Sequence, residues 1–530
     1  MASRIRIIPM LAAAVLALTG CAANTTTTDT GDATTPQAGG TLVYGLPDDL
    51  GCIDPQQVSS NDAIVMSKPL VASLTWQNPD TGEIEPWLAS SWEINDESTE
   101  FTFHLAEGAS YSDGTPVDAA SVKANFDSIT EMGAVAVLGA RYTAGLESVE
   151  TPDDMTVQLT FASPRGDFLQ ASASQGLGMI STESTKKSQA DRCAGDFAGS
   201  GPFTLDRYEP DTIAVLKGRE DYAWAPPSVE NQGAPYLDEL RFAVIPESST
   251  LTGTLLSNQI QASNNISALD QEIFAERGFE LNNRANPGEV YGFLVNFDST
   301  VGKDPAVRQA LMHAIDRDAV NSLLTPNDRP ATSVLSDTTP LYTDVSDEFA
   351  YDVDLANQLL DEAGWELGSD GVREKDGERL SFTLDYWQPT SDALQLIQQQ
   401  FKDIGVDMQL KQTTVAQQTG TIGDGSRSLW WVNSTRADPS AMSSLIGPNA
   451  LFNQNLPDTS IHEALQRIDE ISDPEQRQEA VDEAVALILE QGAVIPVMQL
   501  STTIVSSPTT HGITFDASSR VDFASAWTEQ

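Results

Sequence analysis

Along Glu100 to Leu105 (Glu-Phe-Thr-Phe-His-Leu) apolar and polar residues alternate, the period of a half-buried strand, and Ser112-Asp113-Gly114 follows as a turn with Gly at its left-handed position. Thr41 to Gly45 predicts an earlier strand, with Leu42 and Tyr44 facing away from Val43, and Met155 to Phe161 predicts a later one. Between these the period lengthens to that of a helix: Val122, Phe126 and Ile129 share one face, and Asp118 stands at the N-cap position. Gly199-Ser200-Gly201-Pro202-Phe203 opens a glycine-rich turn into Thr204 to Tyr208. The second half has clearer helix punctuation. Asp304 before Pro305 caps a helix with Val307, Leu311, Ala314 and Ile315 on its apolar stripe; another runs from near Asp354 through Leu355, Leu359 and Leu360 to Gly364. Asp473-Pro474-Glu475-Gln476 starts a third, which carries Val481, Val485 and Ile488 before Gly492. Strand patterns at Leu380 to Tyr386, Val406 to Leu410 and Val494 to Met498 lie between them, so the chain predicts α/β or α+β lobes without a repeat of fixed period.

The N-terminal pattern is of another kind. Arg4 and Arg6 precede an apolar run from Ile7 to Leu18, too short to span a bilayer as a mature helix and suited to an export signal. It ends in Leu18-Thr19-Gly20-Cys21, which resembles the lipobox of bacterial lipoproteins, where the Cys is diacylated; the alternative is an ordinary secretory peptide with an incidental Cys. Residues 1–20 are thus expected as a lipoprotein signal, and residues 21–40, rich in Thr, Asp, Ala and Gly, as a flexible tether. Export places the other two cysteines, Cys52 and Cys193, where thiols oxidise, and predicts a disulfide between them rather than two separate buried thiols.

Charge narrows the partners. The 530 residues carry 29 Lys+Arg against 77 Asp+Glu, a net charge of −48, and no basic patch interrupts the acidity. Nucleic-acid phosphates and anionic lipid headgroups would both be repelled, so no nucleic-acid partner is expected and the membrane is reached through the lipid anchor only. The expected location is the outer face of the cytoplasmic membrane. At 40% hydrophobic and 20% charged residues the chain can bury a large core.

Several ordered segments resemble the family 5 extracellular solute-binding proteins of ABC importers, the dipeptide, oligopeptide and nickel type. They are Pro79-Asp80-Thr81-Gly82-Glu83-Ile84-Glu85-Pro86-Trp87-Leu88-Ala89 with Ser91-Trp92-Glu93, and Tyr111-Ser112-Asp113-Gly114-Thr115-Pro116-Val117. Gly199 to Phe203, Asp304-Pro305-Ala306-Val307-Arg308-Gln309-Ala310, His313-Ala314-Ile315-Asp316-Arg317 and Glu362-Ala363-Gly364-Trp365 extend the match. The resemblance implies an α/β, two-lobe periplasmic-binding-protein-like fold (type II, cluster C) with an extra subdomain in the first lobe. By analogy, lobe I comprises residues 41–65, 195–285 and 500–530, the extra subdomain residues 66–194, and lobe II residues 286–499. It further implies a monomer that clamps a small solute between its lobes, delivers it to a membrane permease, and uses no cofactor.

Peptide-binding members of that family hold the ligand's ammonium with an acid placed after a Trp and shortly before an acid-Pro pair. Here the matching stretch is Trp430-Trp431-Val432-Asn433-Ser434-Thr435-Arg436-Ala437-Asp438-Pro439, with no carboxylate between Trp431 and Asp438. Arg436 lies at or beside the vacated position, and its planar fork suits a carboxylate or phosphate; the competing reading of Arg436 is a structural ion pair. Strand alternation sends Trp430 and Trp431 to opposite faces, which predicts Trp431 in the cleft and Trp430 in the core. Tyr44 and Arg165 are further candidates for ligand contact. The four histidines (His104, His313, His462, His511) have no metal-ligand spacing, and the chain lacks a GxSxG elbow, an HExxH pair and a phosphate-binding Gly-Lys loop, so no catalytic or metal site is expected. The leading reading is a peptide-capturing lipoprotein. A nickel or other metal chelate, or another carboxylate-bearing solute, held by Arg436 is the runner-up; an extracytoplasmic enzyme or a sensory lipoprotein would belong to another class.

Overall fold

The computed structural model describes residues 35–325, 327–387, 391–414, 417, 426–447, 450, 452, 454–457 and 460–529. The expected signal, most of the expected tether and Cys21 lie outside them. The chain from Gln37 onward forms one compact unit. Its first strand, Thr41–Leu46, lies inside a seven-stranded sheet ordered Glu280–Ala285, Ser501–Ser506, Ala262–Ser263, Thr41–Leu46, Glu239–Val244, Ile213–Gly218, Phe203–Glu209. Thr41–Leu46 pairs in parallel with both neighbours and the remaining pairings are antiparallel. A core containing Leu42, Phe203, Leu240, Phe242 and Phe523 packs on this sheet.

Between its strands the chain inserts an antiparallel sheet ordered Ala89–Ile94, Glu100–Leu105, Thr156–Phe161, Leu146–Asp153. The alternation at Glu100–Leu105 puts Phe101 and Phe103 into a separate core with Val122, Phe126 and Ile129 of helix Ala119–Met132. Asp118 caps that helix reciprocally with Ser121. Cys52 and Cys193 form a disulfide across 141 residues, tying the insert to the segment that precedes it. In the chain-entropy view a loop of that length stabilises by about 5 kcal/mol. Beside it Arg192, 1% exposed, pairs with buried Asp54 at 2.7 Å.

A third core belongs to residues 291–498, built on an antiparallel sheet ordered Arg329–Pro330, Val494–Gln499, Gly288–Val295, Leu429–Thr435. Helix Pro305–His313 starts at Asp304 as expected, and helix Pro474–Gln491 runs from Asp473 to Gly492, which adopts φ +64°. The helix expected from Asp354 begins at Val353, capped by Asp352, whose carboxylate reaches Leu355 N–H; Asp354 falls in the first turn. Two crossings join this sheet to the seven-stranded one, from Glu280–Ala285 into Gly288–Val295 and from Val494–Gln499 into Ser501–Ser506. They run side by side, with Asn286 N–H donating to Leu500 O at 2.8 Å.

Candidate ligand-binding site

Strand Leu429–Thr435 is buried at its start, and at its far end Thr435 and Arg436 come out on a cavity of about 80 Å³. The opposite walls come from the insert and the seven-stranded sheet's neighbourhood, including Lys68, Trp76, Arg141, Gln175 and Arg520. Four cationic side chains line this space, Lys68, Arg141, Arg436 and Arg520, against one carboxylate, Asp516. In a chain of net charge −48 that concentration is a local inversion of sign.

The four cations are not equivalent. Lys68 is held by Asp516 at 2.9 Å and Asp522 at 2.8 Å, with its ammonium 5.0 Å from the centre of the Trp76 ring. Arg436 donates through Nη2 to Asp167 Oδ2 at 2.8 Å, with its guanidinium 5.2 Å from the Tyr142 ring. The guanidinium groups of Arg141 and Arg520 have no ion pair or hydrogen bond among the described residues. Burial and then neighbouring Arg436 pull the Arg141 pKa below its ordinary value, a strain that an anion in the cavity would relieve. Trp76 Nε1, Gln175 Oε1 and Arg520 Nε are buried on this lining without a hydrogen-bond partner. Such atoms call for an occupant carrying both acceptors and donors.

Next to the cavity lies a junction of the opposite character. Asp167 is clasped by Arg436 from one side and by Arg165 Nε at 2.9 Å from the other, and together they hold its carboxyl well below the usual range despite burial. Asp438 takes both arms of Arg477, at 2.7 and 2.8 Å. Gly166 N–H donates to Asp469 O at 2.7 Å, Ser98 Oγ meets Ser472 Oγ at 2.9 Å, and Gln77 Nε2 donates to Ala437 O at 2.8 Å. Gly166 is required there, because a Cβ would stand 2.1 Å from Ile471 O. This row seams the insert to the sheet of residues 288–499.

The residues expected at the site divide accordingly. Arg436 lines the cavity, and the ion pair of its competing reading is present. Arg165 is not a lining residue: besides Asp167 it donates to Ala144 O at 2.7 Å and lies over the Phe161 ring, so it fastens the junction. Trp431 does not face the cavity. Its ring, 3% exposed, packs on Tyr291 and Phe293 with centroids 4.6 and 4.7 Å away, while Trp430 turns to Phe452 on the other face. Alternation does separate the two rings, but both faces of this sheet are covered, so both rings are core. Tyr44 is likewise fully buried, edge-on to Phe242 and Phe523, and its hydroxyl donates to Asn264 Oδ1 at 2.9 Å.

Lys68, Trp76, Arg141, Gln175 and Arg520 were not singled out from the sequence. The one usable signal was scarcity, since a cation is rare in this chain and each one calls for a reason. Trp87, which packs against the insert's core, also lines the cavity. His313 Nδ1 lies 2.8 Å from Ala350 O and His511 Nε2 lies 3.2 Å from Glu529. Among the described residues the one acidic group compact enough for a metal is Asp48, Asp49 and Asp211, where Asp49 already accepts from Gly51 N–H, Tyr208 Oη and Asp211 N–H.

The model of the bacterial extracellular solute-binding proteins, family 5, middle region, matches residues 83–452, well over half of the chain. A Brucella ovis protein, provisionally designated an ABC transporter peptide-binding protein, is 31% identical over 296 residues; these are 53% of this chain and 52% of that one, so the match spans about half the relative's length. NikA from Brucella suis, solved with Fe(III)-EDTA, superposes with a TM-score of 0.79 at 24% identity, covering 92% of this chain and all of that one. AppA from Bacillus subtilis, solved with a nonapeptide, gives 0.72 at 21% identity over 94% of this chain and all of that one. These likenesses establish a mixed α/β fold of the two-lobe type II class. Among the described residues no helix is long and apolar enough to cross a membrane.

Proposed function

Since the chain belongs to family 5 of the bacterial extracellular solute-binding proteins, we propose that it is the capture protein of an ABC importer, closing two lobes on a short peptide and passing it unchanged to a permease. In this reading lobe I is residues 41–65, 195–285 and 500–530, the extra subdomain 66–194 and lobe II 286–499. The chain acts as a monomer held by lipid at Cys21 on the outer face of the cytoplasmic membrane, and catalyses no reaction.

The observation that carries the reading is the cavity lining. A peptide's carboxylate answers Arg141 and Arg520, the two lining guanidinium groups outside ion-pair distance of any described carboxylate, by charged hydrogen bonds. Its backbone supplies an acceptor for Trp76 Nε1 and a donor for Gln175 Oε1. Closure follows from differential contact: a solute touching Arg141 on one side and Thr435 and Arg436 on the other is bound more tightly by the closed arrangement than by an open one.

A second reading is favoured by the same excess of cations: a metal chelate of a small polycarboxylate, the chemistry suggested by the EDTA complex of the NikA neighbour. Native mass spectrometry of protein purified without denaturant separates the two, since a retained peptide and a retained chelate differ in mass and in metal isotope pattern. A protein that carries no solute, and binds neither tripeptide mixtures nor chelates in titration calorimetry, would overturn both. For the anchor, Cys21→Ser is expected to release soluble protein; undiminished membrane retention would remove Cys21 from the account.

A further inference from the structure

Lys68, Val71, Trp76 and Trp87 are a shared wall: they line the main cavity on one side and, on the other, a second space of about 30 Å³. That chamber is apolar. Its remaining surface includes Phe203, Tyr222, Ala225 and Phe523, and apart from Trp76 Nε1 its main polar side chains are matched to one another. Lys68 and Asp522 meet at 2.8 Å, and Trp87 Nε1 donates to Tyr222 Oη at 3.2 Å. The Trp76 and Trp87 rings stand edge to face, centroids 5.5 Å apart, so the wall between the two spaces is aromatic. An apolar space with a single free donor on its rim offers a water too few partners and is better filled by hydrocarbon. Its size admits about two water-sized spheres, room for a short branched chain and too little for an aromatic ring.

We propose that this chamber is a side-chain subsite of the main cavity and selects peptides that carry a short branched aliphatic residue, Val or Leu. The proposal rests on the peptide reading above and deepens it. The main cavity takes the charged and backbone groups, and the chamber takes the one side chain that lies against Trp76 and Trp87. Selection arises because each methyl group buried there adds binding energy, whereas a ring must push the wall outward.

The test is calorimetric titration with tripeptides of alanine in which one residue at a time is replaced by Gly, Val, Leu or Trp. At one position Val or Leu is expected to bind about tenfold or more tighter than Gly, with Trp weaker than Leu. Ala225→Leu, at a partly buried position that lines only the chamber, should erase that preference and leave the Gly peptide's affinity in place. Equal affinity across the panel, or a Leu preference that survives both Ala225→Leu and Ala524→Leu at a second lining position, would overturn the subsite. If no tripeptide binds at all, the peptide reading fails, and xenon decides the chamber by itself. Xenon density between Trp87 and Phe523 in pressurised wild-type crystals, lost in Ala225→Leu, supports an apolar group-binding chamber; its absence from wild type overturns it.

Discussion

Two places only a side chain apart treat the same chemical group in opposite ways. At the junction Arg436, Arg165 and Arg477 are spent on Asp167 and Asp438 and almost fully enclosed. In the adjoining cavity Arg141 and Arg520 line the space with no carboxylate at ion-pair distance among the described residues, although Asp167 and Asp469 act on Arg141, and Asp516 on Arg520, from further away. Arg436 belongs to both, since it lines the cavity while its guanidinium is committed to Asp167. The difference teaches which guanidinium holds protein to protein and which keeps its donors open to the cavity. A buried pair gains little over an apolar one, but it makes loss of either member expensive. An unpaired guanidinium at a cavity keeps its hydrogen-bonding capacity for a ligand.

The sharpest way to break the comparison is at its shared member. Arg436→Ala strands Asp167 with Arg165 alone in a dry junction and is expected to lower stability by about 3 to 5 kcal/mol in urea unfolding. If unfolding hardly moves while solute affinity collapses, Arg436 is a ligand residue and the division between the two regions is wrong. Gly166→Ala presses the same seam sterically, its Cβ meeting Ile471 O, and should cost about 2 kcal/mol by the same assay.

Arg141→Ala should do the reverse. Its guanidinium has no carboxylate at ion-pair distance, so stability should change by no more than about 0.5 kcal/mol. Binding of a carboxylate-bearing solute should weaken by about 1.5 to 3 kcal/mol, read by calorimetry against the same solute with its carboxylate amidated. An amidated solute that binds as well as the free acid would detach Arg141 from the ligand.

How much of this could be read beforehand follows the range of the forces involved. Caps at Asp118, Asp304 and Asp473 were legible because a cap is settled within four residues of chain. The Cys52–Cys193 bridge was legible from parity and compartment. Trp431 was misplaced because alternation assigns a residue to a face but says nothing of what covers that face. The cavity was hidden for a related reason: Lys68, Arg141 and Arg520 come from three distant segments, and their convergence exists only once the insert and the returning tail have folded. Arg436 stood out because it departs from a local pattern, whereas its partner Asp167 lies hundreds of residues earlier among many acids.

The smallest effect concerns a residue on the seam that is not clasped. Burial, and then Asp167, push the Asp469 carboxyl up to about 7, with Arg436 and Asp438 also close by and Arg141 and Arg477 within electrostatic reach. A raised carboxyl means the folded protein holds the proton more tightly than the unfolded chain. The stability it confers is therefore complete below the ordinary carboxylate range and is lost as pH rises through about 7. Asp167 has the opposite sign, its contribution being present above the ordinary carboxylate range and lost as pH falls, so the two separate by titration window. Asp469→Asn should already raise stability modestly near pH 5, which lies above the ordinary carboxylate range, and by about 1 kcal/mol more near pH 8, where the wild-type carboxylate is charged. Parallel wild-type and variant curves across that interval would mean Asp469 is already ionised at pH 5 and compensated by its arginine neighbours. The seam would then be neutralised along its whole length.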